Sequence, residues 1–480
     1  MMRVRFAPSP TGNLHIGTLR TALFNQLFAK ANGATTVLRI EDTDASRSSP
    51  AYETSIMEGL SWMGLIPDEG PHCDGGYGPY RQSERGALYQ EAADRLVDAG
   101  HAYFCFCSAE ALDEERAYAD AQKQPYVYSG KCRHLSAETR DRYVAEKRPY
   151  TYKFHVPTTG DIVVSDLIRG GISFESRLIG DFVMMKSDGM PSYNFAVVVD
   201  DIHMDITHVI RGEDHISNTP KQIALFQALG ANVPAFAHLP MILGPDKSKL
   251  SKRHGATNVT EYREQGFLAE AMFNYLALLG WSSPDDKEIM TPEDIFARFS
   301  LDRVSKSGAV FDLTKLTWMN GQYIRALPAP AFYQVVLPFL NEDNRKAMVS
   351  LTAQQQEDAF FSVRDNIDTL VQINDYLTVY TMSESSFQTA IASVTWQATD
   401  MSVIAAFATA WQDQSPTTVE AIDGLIATIV TQTGLGKGKV YKPIRLATSG
   451  LGNGPHIAAY LQVFGYDKVL QRLRSALEVQ

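Results

Sequence analysis

Apolar and polar positions follow two rhythms in the first part of this chain. Val4 to Phe6 form a short apolar run. Ile16, Leu19, Leu23, Leu27 and Ala31 then fall at helical spacing, and Gly33 stands where a C-terminal cap belongs. "TTVLRI" follows and reads as a buried strand. Strand, loop, helix and strand make a βαβ unit. Its first loop lies at the carboxyl end of the first strand, where open α/β sheets bind ligands.

Further along, residues 83–192 mix a charged helical stretch, "AEALDEERAYADAQK", with strand-like stretches such as "TYKFHV" and "DIVVSDLI". This pattern predicts an α+β insertion. The buried-strand signature returns in "FAVVVDDI", and "ITHVIRGEDHISNTPKQIALFQALG" repeats the order of strand, loop and helix, so the first sheet is expected to resume there. Beyond about residue 325 strand-like runs fade. Amphipathic helical patterns such as "PAFYQVVLPFLNEDNRKAM" and "DKVLQRLRSALEVQ" take over and predict a separate helical C-terminal region.

At 480 residues and 45% hydrophobic content the chain can hold three or more folding units, each with a core of its own. "MMRVRFAPSP" carries no apolar signal region, and runs such as "VIAAFATAW" are too short to span a bilayer. A soluble, cytoplasmic protein without membrane contact is expected. The net charge of −11 counts against a nucleic-acid partner only weakly, because local patches rather than totals bind phosphate. Four cysteines in so long a chain make no disulfide framework, which leaves a metal site or isolated thiols.

Between the first strand and helix lies "PSPTGNLHIGT". Its prolines and glycines either break secondary structure, with His15 there by accident, or open the backbone for a phosphate at the helix start. "GPDKSKLSKRHGA" crowds Lys247, Lys249, Lys252 and Arg253 into a Gly- and Pro-flanked loop. That is either a solvated charge run or a cationic loop that closes over a triphosphate. Cys105 and Cys107, followed after 24 residues by Cys132 and then His134, give Cys-x-Cys and Cys-x-His with a helix between them. Those ligand types suit a closed tetrahedral zinc site, and three of the four cysteines gathering beside a histidine favours zinc over buried thiols. Cys73 has no partner in sequence and reads as an unliganded thiol.

The two loop motifs in this order resemble the signatures of a class I aminoacyl-tRNA synthetase. "RFAPSPTGNLHIGTLRTALFNQLFA", "LRIEDTD", "GPYRQSER", "THVIRGEDHISNTPKQ", "DKSKLSKRHGA" and "VFDLTKLTWMNGQYIR" are similar in wording to the bacterial glutamyl-tRNA synthetases. A weaker likeness follows in "GLGKGKVYKPIRLATSG". The resemblance implies an α/β, Rossmann-type parallel-sheet catalytic domain with an α+β insertion, then an all-helical C-terminal anticodon-binding region. It divides the chain into a catalytic domain at 1–82 and 193–225, a tRNA acceptor-binding insertion with the zinc site at 83–192, a stem-contact domain carrying the "KLSKR" loop at 226–329, and the anticodon-binding region at 330–480.

The same resemblance implies an ATP site formed by Pro8, Ser9, His15, Gly17, Thr18, Asp214, Lys249, Ser251 and Lys252. His15 would hydrogen-bond the phosphates and Lys252 would steady the transition state; these two are the catalytic pair. Thr18 stands where the wider class I signature has a second histidine, a position glutamyl enzymes commonly vary, and Leu250 replaces a methionine at conserved volume. Arg5, Ala7, Ser9, Glu41, Tyr193 and Arg211 would form the glutamate pocket, the arginines suiting a carboxylate and Glu41 the ammonium. Cys105, Cys107, Cys132 and His134 match a structural zinc site that some members keep and others have lost, with a fourth ligand that varies.

Implied with these are ATP, Mg²⁺, L-glutamate and tRNA(Glu) as partners, a monomer, and glutamate activation that waits for tRNA. Lys437, Lys439, Lys442 and Arg445 interleave with glycines and Tyr441, either as a patch for RNA phosphate and bases or as a solvated loop. Asn366 in "RDNIDTL" stands where some relatives have an arginine that helps exclude the glutamine anticodon, so charging of tRNA(Gln) stays open. Two rivals are weaker. A truncated relative that glutamylates a queuosine base would lack the C-terminal region, and a silent tRNA-binding paralogue should have eroded His15 or Lys252.

Overall fold

The computed structural model describes residues 1–44, 46–349 and 351–479, so Ala45 and, from the expected helical region, Ser350 and Gln480 lie outside the described residues. The chain forms two compact units. One comprises Met1–Glu261 with Met272–Asp312, the other Tyr262–Ala271 with Leu313–Gln480. The boundaries expected at residues 82, 192 and 225 fall inside the first.

The strands of the first unit are, in chain order, β1 (Arg3–Phe6), β2 (Thr35–Leu38), β3 (Ala102–Cys105), β4 (Thr151–Phe154), β5 (Asp161–Asp166), β6 (Gly170–Glu175), β7 (Phe182–Met185), β8 (His208–Gly212) and β9 (Ala235–Leu239), with short β10 (Ile242–Leu243) and β11 (Ala309–Val310). Six build the main sheet in the order β2-β1-β8-β9-β5-β6, and β3, β4 and β7 build a second. All neighbours from β2 to β5 in the main sheet are parallel. β1 therefore has an early strand on one side and a late one on the other. The chain's progress across the sheet reverses between β1 and β8, which opens a crevice beyond their carboxyl ends.

The helix after β1 runs from Ile16 to Asn32, and Gly33 closes it at φ 62° with its N–H on the Ala29 carbonyl, as its sequence predicts. Ile16, Leu19, Leu23 and Leu27 are buried along it, whereas Ala31, expected on the same stripe, is exposed in the final turn. Two other expectations differ more. "FAVVVDDI" is not a strand but part of the helix Tyr193–His203, with Phe195 to Asp201 all buried. Apolar partners surround it, among them Phe154, Met184, Tyr89 and Leu225. No polar face is left to reveal a 3.6-residue period, and a short apolar run then reads equally as strand or helix. β5 and β6, expected inside the insertion, form an antiparallel hairpin whose Asp166 pairs with Phe236 of β9 and so extends the main sheet.

The second unit is helical as expected. Its core gathers Phe332, Phe360, Ile404, Trp411, Ile426 and Leu461 from helices along the whole region. Trp411 is fully buried, and its loss would cost about 3–5 kcal/mol. Among the described residues no helix is long and apolar enough to cross a membrane.

Candidate active site

The crevice between β1 and β8 holds a cavity of about 560 Å³. Arg5, Ala7, Pro8, Ser9, His15, Gly17, Thr18, Glu41, Tyr193, Arg211, Asp214 and Lys249 all line it. Ser251 and Lys252 do not. Lys252 is exposed, in a short turn from Lys252 to His254. The cavity wall also contains Arg20, Glu213, His215, Asn218 and Met241, which sequence reasoning missed.

Backbone bonds explain how the loop after β1 is held open. Pro8 accepts from the Glu41 N–H at 3.0 Å, Leu14 accepts from the Val259 N–H at 3.1 Å, and the Ile16 N–H donates to Thr257 at 2.9 Å. Residues 257–259, just after the cationic loop, thus strap the entry to the first helix. His15 caps that helix. Its Nδ1 accepts from the Gly17 N–H at 3.0 Å, so the proton of the neutral ring sits on Nε2, free to donate. Burial, helped by the nearby Lys249 charge, lowers the His15 pKa and favours that neutral form. A phosphate at this point would meet a helix N-terminus, an imidazole N–H and the Lys249 ammonium together.

The other end of the cavity is lined by buried charged groups. Arg211 is buried; its Nε donates to His238 Nε2 at 3.2 Å, and its Nη2 donates to Thr219 Oγ1 and Gln222 Oε1, each at 2.8 Å. Its Nη1 is buried with no hydrogen-bond partner, a desolvated donor of the kind a carboxylate satisfies. The Tyr193 hydroxyl lies 3.1 Å from His215 Nδ1. Burial, and then the Arg211 charge, push the His215 pKa down to about 4, which keeps that ring neutral.

Behind Arg5 and Glu41 runs a chain of buried ion pairs. Arg5 Nε donates to Asp201 at 3.1 Å; Arg39 reaches Asp201 at 2.6 Å, Asp200 at 3.5 Å and Glu41 at 3.2 Å; Arg85 binds Asp200 at 2.6 Å. Gln82 and Tyr89 supply further bonds to Asp200. Burial works to raise the Asp201 pKa, but Arg5 and Arg39 outweigh it and hold the carboxyl below its ordinary range. Glu41 goes the other way, because burial outweighs Arg39 and Arg5. An ammonium beside Glu41 would relieve that. Arg39, Asp200 and Asp201 were not anticipated as site residues. Their signal in sequence is charge set within apolar runs, in "TTVLRI" and "FAVVVDDI".

The cationic loop is tied largely to itself. Asp246 accepts from Arg253 at 3.1 Å and lies 3.2 Å from His254, while Lys249 reaches Asp214 at 3.2 Å.

In the insertion the Cys105, Cys107 and Cys132 sulfurs lie within 4.8 Å of one another. His134, expected as their fourth partner, is exposed and outside this group, because the short turn Lys131–His134 carries it to the surface. The nearby oxygen is Tyr128 Oη, 3.4 Å from Cys105 Sγ and 3.2 Å from Cys107 Sγ. The Lys153 ammonium lies 3.4 Å from the Tyr128 ring centre. A hydrogen bond from Cys105 pulls the Cys132 pKa down to about 7. Three such sulfurs and a phenol oxygen fit a thiophilic divalent ion such as zinc. Cys73 is exposed.

In the second unit, "KGKVYKPIR" forms the start of a helix, Lys437–Ser449, rather than a loop. Lys437, Lys439 and Lys442 are exposed on it, and Asn366 is exposed in the turn Arg364–Asn366.

A parallel sheet with a switch-point cavity, a histidine-capped helix and a cationic loop defines a nucleotide-binding site of the class I tRNA synthetase kind. The description of tRNA synthetases class I (E and Q), catalytic domain, matches residues 1–318, and that of an anticodon binding domain matches residues 331–477. The chain belongs to this family. It is 44% identical to the glutamate–tRNA ligase of Carboxydothermus hydrogenoformans, over 98% of this chain and 99% of that one. It is 45% identical to the glutamate–tRNA ligase of a Sulfurihydrogenibium species, over 100% and 99%. The crystal structure of a glutamate tRNA ligase from Elizabethkingia meningosepticum in complex with its amino acid superposes with a TM-score of 0.86 at 34% identity, covering 99% of each chain.

Proposed function

We infer that this chain joins L-glutamate to the 3′ end of tRNA, by way of glutamyl-adenylate, for protein synthesis in the cytoplasm. The observation that carries the choice of glutamate is the unpartnered Arg211 Nη1, buried in a cavity whose opposite end carries His15 and Lys249. The electrostatics agree: Arg5 and Arg211 lie together in the cavity wall with Glu41, cationic donors for a second carboxylate that the amide of the same amino acid would not match.

In this reading Arg211 and Arg5 take the side-chain carboxylate and Glu41 the ammonium, with Ser9 and Tyr193 completing the wall. The α-carboxylate is left facing the nucleotide. Its oxygen attacks the α-phosphorus in line, the bond to pyrophosphate breaks, and the adenylate forms. The tRNA terminal ribose hydroxyl then attacks the glutamyl carbonyl carbon, AMP departs, and the hydroxyl proton is lost. No side-chain nucleophile takes part. His15 Nε2–H and the helix start meet the phosphates, and Lys252 reaches the departing pyrophosphate when its loop moves over the cavity. Among the lining carboxylates Asp214 is tied to Lys249 and Glu213 to Arg169, so magnesium would arrive on the triphosphate and neutralise its charge there.

Cys105, Cys107 and Cys132, with Tyr128 rather than His134, are the residues we assign to a structural zinc ion within an acceptor-binding insertion. The lysines of the Lys437–Ser449 helix are assigned to tRNA phosphates. Lys437 and Lys439 in the first turn oppose the helix dipole, an arrangement that a phosphate partner offsets. A second reading, that tRNA(Gln) is charged as well, is favoured by exposed Asn366 in place of an excluding arginine.

The test is charging of purified tRNA(Glu) and tRNA(Gln) side by side with labelled glutamate, ATP and Mg²⁺. Glutamyl-tRNA(Glu) is expected, together with pyrophosphate exchange that needs tRNA. Background levels with both tRNAs would overturn the assignment.

A further inference from the structure

Asp166 closes β5, the strand whose place in the main sheet was not legible in sequence. Its carboxylate accepts from the N–H groups of Ile168 at 2.9 Å, Arg169 at 2.8 Å and His238 at 3.1 Å, and lies 2.6 Å from His238 Nδ1. An ionised carboxylate only accepts, so His238 Nδ1 carries the ring proton. A guanidinium only donates, so His238 Nε2, 3.2 Å from Arg211 Nε, is bare. The two neighbours select one neutral tautomer between them. Asp166 and His238 are both buried.

We infer that His238, oriented by Asp166, is a positioning residue for amino-acid recognition: it fixes Arg211 so that Nη1 is presented to the substrate carboxylate. This rests on the reading of Arg211 as the carboxylate ligand. Three acceptors, His238 Nε2, Thr219 Oγ1 and Gln222 Oε1, occupy the Nε and Nη2 positions of the guanidinium. The fork is thereby locked before substrate arrives, and little side-chain freedom is left to lose on binding. The hairpin β5–β6 thus reaches the substrate through two side chains without touching it.

A knot that only stiffened the β5–β9 junction would change melting without separating the substrates. The experiment is tRNA charging by the full chain, with KM measured for glutamate and for ATP separately, in His238→Leu, His238→Gln, Asp166→Asn and Arg211→Gln, and the melting temperature of each recorded. His238→Leu is expected to raise the glutamate KM about ten- to a hundredfold, with the ATP KM changed by less than about twofold. His238→Gln, whose amide oxygen can accept from Arg211 Nε, recovers most of that loss. Asp166→Asn, which frees the ring to take the wrong tautomer, falls between them. Equal losses in both KM values, or a folded His238→Leu protein with an unchanged glutamate KM, overturn the inference. If His238→Leu does not fold, His238→Gln and Asp166→Asn decide: an unchanged glutamate KM in both overturns it. An Arg211→Gln protein with normal glutamate KM would instead overturn the carboxylate reading on which this one stands.

Discussion

The basic residues of this protein are deployed in two contrasting ways. Arg5, Arg39, Arg85 and Arg211 are buried and held by fixed acceptors, which for the first three come from distant parts of the chain. Lys249, Lys252 and Arg253, and Lys437, Lys439 and Lys442 in the second unit, are exposed, and what ties the loop cations have is to neighbours on the surface. Buried guanidinium groups discriminate between ligands, because a wrong partner leaves a donor unmatched. Exposed ammonium groups attract any phosphate and discriminate little. In the function proposed, the choice of amino acid falls to the buried donors, while the charges assigned to chemistry and to RNA stay at the surface.

The contrast can be broken most sharply at Arg211. Arg211→Gln is expected to lower kcat/KM for glutamate about a thousandfold, with the KM for ATP nearly unchanged, as read by tRNA charging at varied glutamate. Lys252→Ala should lower kcat about a hundred- to a thousandfold and leave both substrate KM values close to wild type, the pattern of a contact made only in the transition state. In the insertion, Cys132→Ser should abolish tightly bound zinc as read by metal analysis. Tyr128→Phe weakens retention against a chelator about tenfold, and His134→Ala changes nothing. Replacing Lys437, Lys439 and Lys442 together by Ala should raise the KM for tRNA several-fold and reduce the slope of log affinity against log salt by about 2.

The smallest effect concerns pH. The pKa of His15 is depressed below its ordinary 6.5, so its cap on Gly17 is intact above that value and is lost as pH falls through the folded pKa. The decline in kcat/KM for ATP therefore belongs on the acid side, with no His15 step between pH 7 and 8, and His15→Asn, which keeps a capping oxygen, should remove it.

Much of the cavity lining was legible in sequence, whereas the buried residues behind it were not. The helix Ile16–Asn32, its Gly33 cap and the strand at Thr35 could be read because Ile16, Leu19, Leu23 and Leu27 recur at helical spacing and a glycine closes the run, although Ala22 to Ala29 are buried on every side. Tyr193–His203 could not, since "FAVVV" sets five apolar residues side by side with no such spacing. Of the twelve expected residues that line the cavity, all but Tyr193 lie in stretches quoted as motifs, most of them at strand ends, in loops or in the first turn of the helix Ile16–Asn32. Asp166 with His238 and Asp201 with Arg5 are paired across 72 and 196 residues of chain, which no local pattern encodes. His134 failed for a related reason: ligand spacing fixes residue types, but the turn at Lys131 decides which side chain faces the thiols.

The strap formed by Thr257 to Val259 bears on how the chain can change in length. Surface loops ordinarily absorb insertions at little cost. Here the same few residues end the cationic loop and clasp Leu14 and Ile16, so one added residue between Arg253 and Thr257 would shift the clasp by a register step and pull His15 off its helix. Insertions in homologous chains should therefore accumulate elsewhere on the surface and avoid this short span.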